Sequence, residues 1–289
     1  MAGAEATLAK IVAAAGEHVP RLLGVVEQRL VALAAGHGPV LAEHAGDTIA
    51  AGGKRLRPLL VLLAAGPRAI ARPQLIAAAA AVELIHSATL VHDDVLDGAH
   101  LRRGVPTVWA RGGRALAVAT GDLLFSRAFS ELAAAGSLRS VQALSRATSA
   151  LAEGELLQRQ DAWNAAVPVE RYLQRCELKT ARLFEAACEL GALAAESDPG
   201  DVEVLGAFGR GIGLAFQLLD DVIDVAGPAS VTGKHRGTDL LDGTVTLPLI
   251  IARERAAELA EFDLRGLRGA GADRVEELCD RIAATGALG

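Results

Sequence analysis

The sequence predicts an all-α protein, and three observations lead to that prediction. Ala and Leu, both strong helix formers, dominate the apolar residues. Aromatic residues make up only 3% of the chain, and clusters of β-branched residues are scarce. Apolar residues recur with helical periodicity almost throughout, interrupted by glycine and proline. Because the sequence has no segment typical of an interdomain linker, we expect a single large helical domain over residues 1–289.

The helices can be predicted one after another from this periodicity. Glycine- and proline-rich segments such as GHGP, AGGKRLRP, GPRAIARP and HLRRGVPTVWARGG mark the breaks between them. The predicted helices cover residues 22–34, 41–51, 59–65, 74–98, 114–135, 137–164, 167–195 and 197–225, with two more after residue 248. Residues 226–248 are rich in glycine and polar side chains, and we predict a mobile loop over a site there.

Composition and charge exclude several classes of protein. Hydrophobic residues make up 51% of the chain and charged residues 22%, which is typical of a globular protein. The net charge is −6 and no basic stripe is interleaved with aromatics, so we expect no nucleic-acid partner.

Three further features predict a cytoplasmic protein without a membrane span. The cysteines Cys176, Cys188 and Cys279 are odd in number and widely spaced, as expected for reduced thiols. The N-terminal residues lack the basic segment and apolar core of a signal peptide. We also expect no apolar stretch of the roughly 18 residues needed to span a bilayer.

An Asp-Asp-x-x-Asp pentad occurs twice, each time after an apolar run. The two copies comprise Asp93, Asp94 and Asp97, and Asp220, Asp221 and Asp224. On a helix the three carboxylates of one copy cover a single patch, where they repel one another unless a cation neutralises them. Mg²⁺ combines one or two carboxylates with water and phosphate oxygens, so the pair of pentads predicts a cluster of divalent cations. An acidic helix end is the alternative for a single copy.

Cationic residues next to glycines or pentads predict phosphate binding. The segment GGKRLRP places Lys54, Arg55 and Arg57 beside two glycines just before a helix, which is typical of a diphosphate site, with a basic turn as the alternative. Arg102 and Arg103 follow the first pentad, where they could neutralise phosphates bound to its metal ions.

Polar residues in apolar helices are the remaining candidates. Lys179, next to Thr180, lies on an apolar face and needs an anion, whereas Lys234 is either a phosphate ligand or an ordinary loop charge. Gln217 faces nearly the same side as Asp221, where it could contact a substrate or satisfy a core backbone group. The same two interpretations hold for Gln158 and Asp161. His86 lies two turns before Asp93 and could reach an anion, while His92 is interpreted as an ordinary polar neighbour.

The motifs, taken together and in this order, resemble those of trans-type isoprenyl diphosphate synthases, the polyprenyl synthetases. The matching segments are GGKRLRP, ELIHSATLVHDDVLDGAHLRRGVPTVW, GDLLFSRAF, LKTARLFEAA, FQLLDDVIDV and GKHRGTDLLDGTVTLP. The resemblance spans about residues 50 to 250. It implies helices around a deep central cavity, a homodimer, and three Mg²⁺ ions bound with the substrate diphosphate between the two pentads.

The same resemblance implies a role for each candidate residue. The metal ligands would be Asp93, Asp94, Asp97, Asp220 and Asp224, with Asp221 close by. The allylic diphosphate would contact Arg102, Lys179 and Lys234, and isopentenyl diphosphate would contact Lys54, Arg57, His86 and Arg103. Thr180 and Gln217 would lie near the reacting carbons. Two positions depart from the family pattern: Thr244 stands where a lysine is common, and Trp109 where a small polar residue is usual.

The resemblance implies head-to-tail condensation of isopentenyl diphosphate with an allylic diphosphate. Ala88 and Thr89, one turn before Asp93, are small where makers of short products often carry an aromatic ring, so the chain could extend to Ile85 and Leu84. We therefore expect a product of twenty carbons or more, unless Phe125 or Phe129 sets a nearer floor. The alternatives are a non-catalytic or partner subunit of a two-component synthase and a class I terpene cyclase.

Overall fold

The computed structural model describes residues 2–35, 38–102, 104–227, 236–269 and 271–289, except for the side chains of residues 2–6 and 68. The first helices are α1 (Ala2–Ala14), α2 (His18–Ala34), α3 (Pro39–Ala50), α4 (Leu56–Ala65), α5 (Pro73–Leu96), α6 (Val108–Ala134) and α7 (Leu138–Asp161). The later ones are α8 (Val169–Cys176), α9 (Arg182–Ala194), α10 (Pro199–Ala226), α11 (Thr238–Leu241), α12 (Leu247–Arg255), α13 (Ala257–Ala260) and α14 (Ala272–Ala284).

Little other regular structure occurs in the described ranges. Single 3₁₀ turns cover Pro67–Ala69 and Leu264–Leu267, and a π-helical turn, Glu177–Ala181, joins α8 to α9. Two short antiparallel strands, β1 (Leu101–Arg102) and β2 (Val105–Pro106), pair between α5 and α6. The all-α prediction is therefore confirmed.

The chain forms two compact units. The first comprises Met1–Thr148 and Leu183–Arg210, and the second comprises Ser149–Arg182 and Gly211–Gly289. Helices α7 and α10 each contribute residues to both units. The single domain and the central cavity stay predictions.

Helix α5 is the core helix of the first unit. It packs against α6, α4 and α2, and all of its residues from 77 to 85 are buried. Alanine permits this because its methyl group lets neighbouring helices approach closely without losing helix propensity. Pro73 occupies the first turn, where a missing N–H costs nothing, and Gly98 takes a positive φ of 63° just past the end of the helix. The first pentad is thus fixed to the C-terminal end of a rigid, buried helix.

The second unit has its own apolar core. Tyr172 and Cys176 of α8 pack there with Val225 of α10 and with side chains of α11, α12 and α14. The face of α10 that carries Asp221 and Val225 is therefore fixed against this core. The second pentad is accordingly also fixed by packing against an apolar core.

Two helices correct the expectation that no apolar stretch is long enough to span a bilayer. By length and composition alone, Pro73–Leu96 and Pro199–Ala226 could do so. The first is a core helix whose apolar window is 72% buried, whereas the window of the second is 22% buried. Core helices of soluble proteins pass the same test, so two such helices are weak support for a membrane span.

All three cysteines, Cys176, Cys188 and Cys279, are free and buried, as the sequence predicted. Burial raises the pKa of the Cys176 and Cys188 thiols to about 12 and that of Cys279 to about 11. These thiols therefore pack as small apolar side chains.

Candidate active site

The first aspartate cluster lies where α5 ends. Asp93 is half-buried and Asp97 exposed, whereas Asp94 is only 4% exposed. The C-terminal end of a helix carries partial negative charge, so three carboxylates there repel both that charge and one another. The cluster therefore fits a hard cation as its counter-charge.

Asp94 already has a cationic partner from the adjacent strand. Arg102 Nε of β1 donates a hydrogen bond of 2.8 Å to Asp94 Oδ1. Burial raises the pKa of Asp94, and Arg102 opposes this effect. Arg102 is itself 31% exposed, so it could exchange the carboxylate for a phosphate oxygen that arrived there.

The three cations at the start of α4 differ in their contacts. Arg55, in a left-handed conformation with φ of 47°, forms ion pairs with Glu27 and the buried Glu83. These contacts make Arg55 a structural residue, which the sequence could not separate from its neighbours. Lys54 is exposed and Arg57 half-buried.

Arg57 is a half-buried cation with a hydrogen-bond donor available for an anion. Its guanidinium carbon lies 4.5 Å from the centroid of the Phe184 ring, a cation–π contact. Its buried Nε has no hydrogen-bond partner among the described residues. Burial lowers the pKa of Arg57 to about 10, with Glu83 opposing the effect, so the side chain stays charged at neutral pH. A buried donor without a partner is costly unless a ligand supplies an acceptor.

The second aspartate cluster lies in the last two turns of α10. Asp220 is exposed and Asp224 half-buried, while Asp221 is only 2% exposed. Asp224 accepts hydrogen bonds from the backbone N–H groups of Thr238 and Asp239 at 3.2 and 3.3 Å, at the start of α11. As in the first cluster, the carboxylates crowd the negative end of a helix, which fits a divalent cation.

A chain of hydrogen bonds runs from Asp221 to the π-helical turn. Tyr172 Oη donates to Asp221 Oδ2 at 2.6 Å, and Gln217 Nε2 donates to Asp221 Oδ1 at 2.7 Å. Thr180 Oγ1 donates to Gln217 Oε1 at 2.7 Å. Burial raises the pKa of Asp221 to about 6, against the hydrogen bonds from Tyr172 and Gln217. Two residues predicted to lie near the reacting carbons, Thr180 and Gln217, are thus hydrogen-bonded to each other.

Lys179 lies in the same π-helical turn and pairs with Glu155 of α7. Arg159 contacts the same carboxylate at 2.7 Å. Burial raises the pKa of Glu155, but Lys179 and Arg159 together hold it below its usual value. A π-helical turn in an α-helical run is often found at functional sites. The predicted need of Lys179 for an anion is met by Glu155 in this structure.

Gly154 permits the close approach of α7 to this turn. A Cβ atom at position 154 would lie 2.6 Å from the backbone nitrogen of Lys179. Such a contact with backbone could not be relieved by a side-chain rotation. Sequence reasoning missed Gly154, Glu155 and Tyr172 as contributors to the site. The only sequence signal was a glycine followed by an acid inside a helix, which by itself has many explanations.

The predicted product-length residues lie on the buried part of α5. Ala88, Ile85 and Leu84 have no measurable exposure, while Thr89 is half-buried and donates a hydrogen bond to the His86 carbonyl. Thr89 is therefore the position of the four with accessible surface. Their effect on product length stays a prediction.

The other predicted residues divide into structural and undescribed ones. Asp161 is buried and accepts a hydrogen bond from Arg171 Nε at 2.7 Å, which is a structural role. His86 and Gln158 are half-buried, and His92 stacks on Phe125 with ring centroids 5.9 Å apart. Arg103, Lys234 and the other residues of 228–235 in the predicted mobile loop lie outside the described residues, whereas Thr238–Leu241 of that predicted loop form helix α11.

The two departures from the expected pattern occupy ordinary positions. Thr244 is half-buried, and its backbone N–H donates to the Asp239 carbonyl at 2.8 Å. Trp109 packs against His100, with ring centroids 4.7 Å apart.

Within the described ranges, no three His, Cys, Asp or Glu side chains already surround a point that could hold a metal ion. Mg²⁺ in proteins takes one or two carboxylates and completes its shell with water and substrate phosphate. The donors are carboxylate oxygens, which suit hard divalent cations.

Comparison with known proteins identifies close similarity along most of the chain. The model of the polyprenyl synthetase family matches residues 39–282. Heptaprenyl diphosphate synthase component 2 of Geobacillus stearothermophilus is 43% identical over 231 residues, which is 80% of this chain and 72% of that protein. Octaprenyl diphosphate synthase of Escherichia coli is 37% identical over 242 residues, which is 83% of this chain and 75% of the other.

Solved structures agree with the sequence comparison. A polyprenyl synthase from Caulobacter crescentus, complexed with calcium and isoprenyl diphosphate, matches with a TM-score of 0.86 and 38% identity. The match covers 97% of this chain and 84% of that one. Heptaprenyl diphosphate synthase of Staphylococcus aureus matches with a TM-score of 0.85 and 33% identity, covering 93% and 87%.

Proposed function

The chain belongs to the polyprenyl synthetase family, and from this premise we propose that it joins isopentenyl diphosphate head-to-tail to an allylic diphosphate. It is a prenyltransferase that elongates prenyl chains. The relatives are named for geranylgeranyl, heptaprenyl and octaprenyl products, so a product of twenty carbons or more is favoured. The observation that carries the proposal is the pair of aspartate clusters at the ends of α5 and α10.

The outer aspartates of each cluster are the proposed metal ligands. Asp93, Asp97, Asp220 and Asp224 keep some solvent exposure. Asp94 and Asp221 were also predicted at the metal site, but both are buried and hydrogen-bonded to other side chains, so we propose the outer four as the direct ligands. Three Mg²⁺ ions are the proposed cofactor, bound together with the substrate diphosphate. When bound, they supply Lewis-acid stabilisation of the charge that develops on the departing diphosphate.

The cations divide between the two substrates. Arg102 and Lys179 are paired with Asp94 and Glu155, which balance their charge until a diphosphate arrives as a competing acceptor. These two residues, with Lys234, bind the allylic diphosphate in our proposal. Arg57, whose buried Nε has no hydrogen-bond partner among the described residues, binds isopentenyl diphosphate with Lys54, His86 and Arg103 in our proposal.

The proposed reaction needs no nucleophile from the protein. Loss of diphosphate from the allylic substrate leaves a carbocation, and the double bond of isopentenyl diphosphate attacks it. Thr180 and Gln217 present oxygen atoms whose lone pairs stabilise positive charge. Released diphosphate accepts the proton that the new carbon chain loses. The role of the protein is to hold charges and exclude water.

The assembly and the location of the enzyme are proposed on the same basis. A cytoplasmic homodimer is the state that we propose. A class I terpene cyclase is not favoured, since it needs no second diphosphate site such as the one around Arg57. A non-catalytic subunit is not favoured either, since such subunits tend to lose aspartates and all six are present here.

The test is incubation of purified protein with isopentenyl diphosphate, farnesyl diphosphate and Mg²⁺, with products sized by chromatography. A diphosphate product of twenty carbons or more is expected. A hydrocarbon product would instead identify a cyclase. No product from the protein alone, but product after addition of a partner chain, would identify a subunit of a two-component synthase.

A further inference from the structure

The hydrogen-bond chain in the second unit gives Asp221 a role that differs from metal binding. We propose that Asp221, anchored by Tyr172, sets the direction of the hydrogen bonds through Gln217 to Thr180 and is therefore a positioning residue for the reaction. The inference rests on the proposed function for the identity of the reaction. Its geometry rests on side chains of the second unit alone.

The direction of each bond follows from the chemistry of its neighbour. An ionised carboxylate only accepts hydrogen bonds, so Tyr172 and Gln217 must both donate to Asp221. Gln217 therefore turns its amide nitrogen to Asp221 and its amide oxygen to Thr180. Thr180 must then donate its hydroxyl hydrogen to that oxygen, at 2.7 Å. The hydroxyl hydrogen of Thr180 is thereby used inside the protein.

This direction determines what Thr180 offers to a substrate. With its hydrogen engaged by Gln217, the hydroxyl presents oxygen lone pairs, which stabilise an electron-poor allylic carbon. With the chain reversed, Thr180 would accept from Gln217 and present its O–H hydrogen, which repels positive charge. Asp221 thus controls the sign of a dipole that lies two side chains away.

Tyr172 makes the arrangement rigid. It is fully buried in the apolar core of the second unit, and its ring lies 5.3 Å from the guanidinium carbon of Arg175. Arg175 is itself fixed by a 2.6 Å hydrogen bond to the Val245 carbonyl. The chain of hydrogen bonds therefore starts from side chains that cannot reorient without disturbing the core.

The decisive variant is Asp221→Asn, which preserves shape but reverses the hydrogen bonds. The asparagine oxygen would accept from Tyr172, and its amide nitrogen would donate to Gln217 Oε1. Gln217 would then flip and donate to Thr180, turning the hydroxyl hydrogen outward. We expect the single-turnover rate to fall on the order of a hundredfold, with the reaction amplitude retained. Tyr172→Phe, which removes only the anchor, should lower it about tenfold.

Two further measurements separate positioning from metal binding and from general damage. Calorimetric binding of inorganic diphosphate with Mg²⁺ should be unchanged in Asp221→Asn and weakened in Asp220→Asn. In a Thr180→Val background, Asp221→Asn should have little further effect on the rate, because the group it orients is gone. Asp201→Asn, an exposed position on the same helix, is the matched control and should behave as the unmodified protein.

Any one of the following results would overturn the inference. They are weakened Mg²⁺-dependent diphosphate binding in Asp221→Asn, an unchanged rate in that variant, and additive effects of the Asp221 and Thr180 substitutions. A loss of amplitude at an unchanged rate would indicate a damaged fold and would also count against it. Failure of the unmodified protein to condense any substrate would refute the proposed function, while the diphosphate-binding comparison would still decide whether Asp221 is a metal ligand.

Discussion

The two aspartate clusters have the same pattern of burial but differ in which side chains hold the middle aspartate. In each, the middle aspartate is buried and bonded to a side chain, while the outer two keep some exposure. Asp94 is held by Arg102, a charged side chain that is 31% exposed. Asp221 is held by two neutral donors, Tyr172, which is buried in the apolar core of the second unit, and Gln217, which is half-buried. We therefore expect Arg102 to exchange Asp94 for a phosphate, and Tyr172 and Gln217 to stay bound to Asp221.

The largest expected effect tests the proposed metal binding by the outer aspartates of both clusters. Asp93→Ala and Asp220→Ala should each lower turnover about a thousandfold, because charge stabilisation at the departing diphosphate is lost. Steady-state kinetics on variants with native circular dichroism spectra provide the measurement. Asp201→Ala, an exposed aspartate on α10, is the control. Near-native activity in either cluster variant would remove that cluster from the mechanism.

The next prediction concerns the fixed surroundings of the second cluster. Gly154→Ala places a methyl group 2.6 Å from the Lys179 backbone and should displace the π-helical turn. Turnover should fall on the order of a hundredfold through misplacement of Lys179 and Thr180. Gly200→Ala, where nothing lies within 4 Å, is the matched control. Unchanged kinetics would show that the π-helical turn can shift without loss of activity, which would contradict the view that the surroundings of the second cluster are fixed.

Stability should separate the two anchors more finely. Tyr172→Phe leaves buried Asp221 short of a donor and should lower the free energy of unfolding by about 1–3 kcal/mol. Arg102→Ala should cost less, about 1 kcal/mol, since Arg102 is partly exposed and its pair is screened by solvent. Chemical denaturation without Mg²⁺ provides the measurement. Equal losses, or the reverse order, would contradict the contrast between an exchangeable and a fixed anchor.

The smallest effect concerns the thiol beside the second cluster. Cys176 is buried next to Tyr172, and burial raises its pKa to about 12, so little thiolate exists at pH 8. A thiol reagent should label it slowly, with a rate that rises with pH and is indifferent to Mg²⁺ and diphosphate. Peptide mapping of the labelled protein distinguishes it from Cys188 and Cys279. Acceleration by Mg²⁺ and diphosphate would show that the region around Tyr172 moves.

The contrast between the clusters also marks what the sequence could predict. Both pentads are local patterns on strongly periodic helices, so α5, α10 and the candidate ligands were predicted from adjacent residues. The bond between Tyr172 and Asp221 joins residues 49 positions apart, and nothing in the local pattern indicates it. The roles of Arg55 and Arg57 likewise depend on Glu27, Glu83 and Phe184, which only tertiary packing brings near.

The most direct test of the account is a crystal structure of the enzyme with Mg²⁺ and an unreactive allylic thiolodiphosphate. The account predicts Mg²⁺ about 2.1 Å from carboxylate oxygens of the outer aspartates, Asp93 and Asp97, and Asp220 and Asp224. It also predicts that Arg102 leaves Asp94 for the diphosphate, while Tyr172 and Gln217 remain bonded to Asp221. A metal ion bound directly to Asp221, or an unchanged Arg102–Asp94 pair beside bound diphosphate, would contradict it.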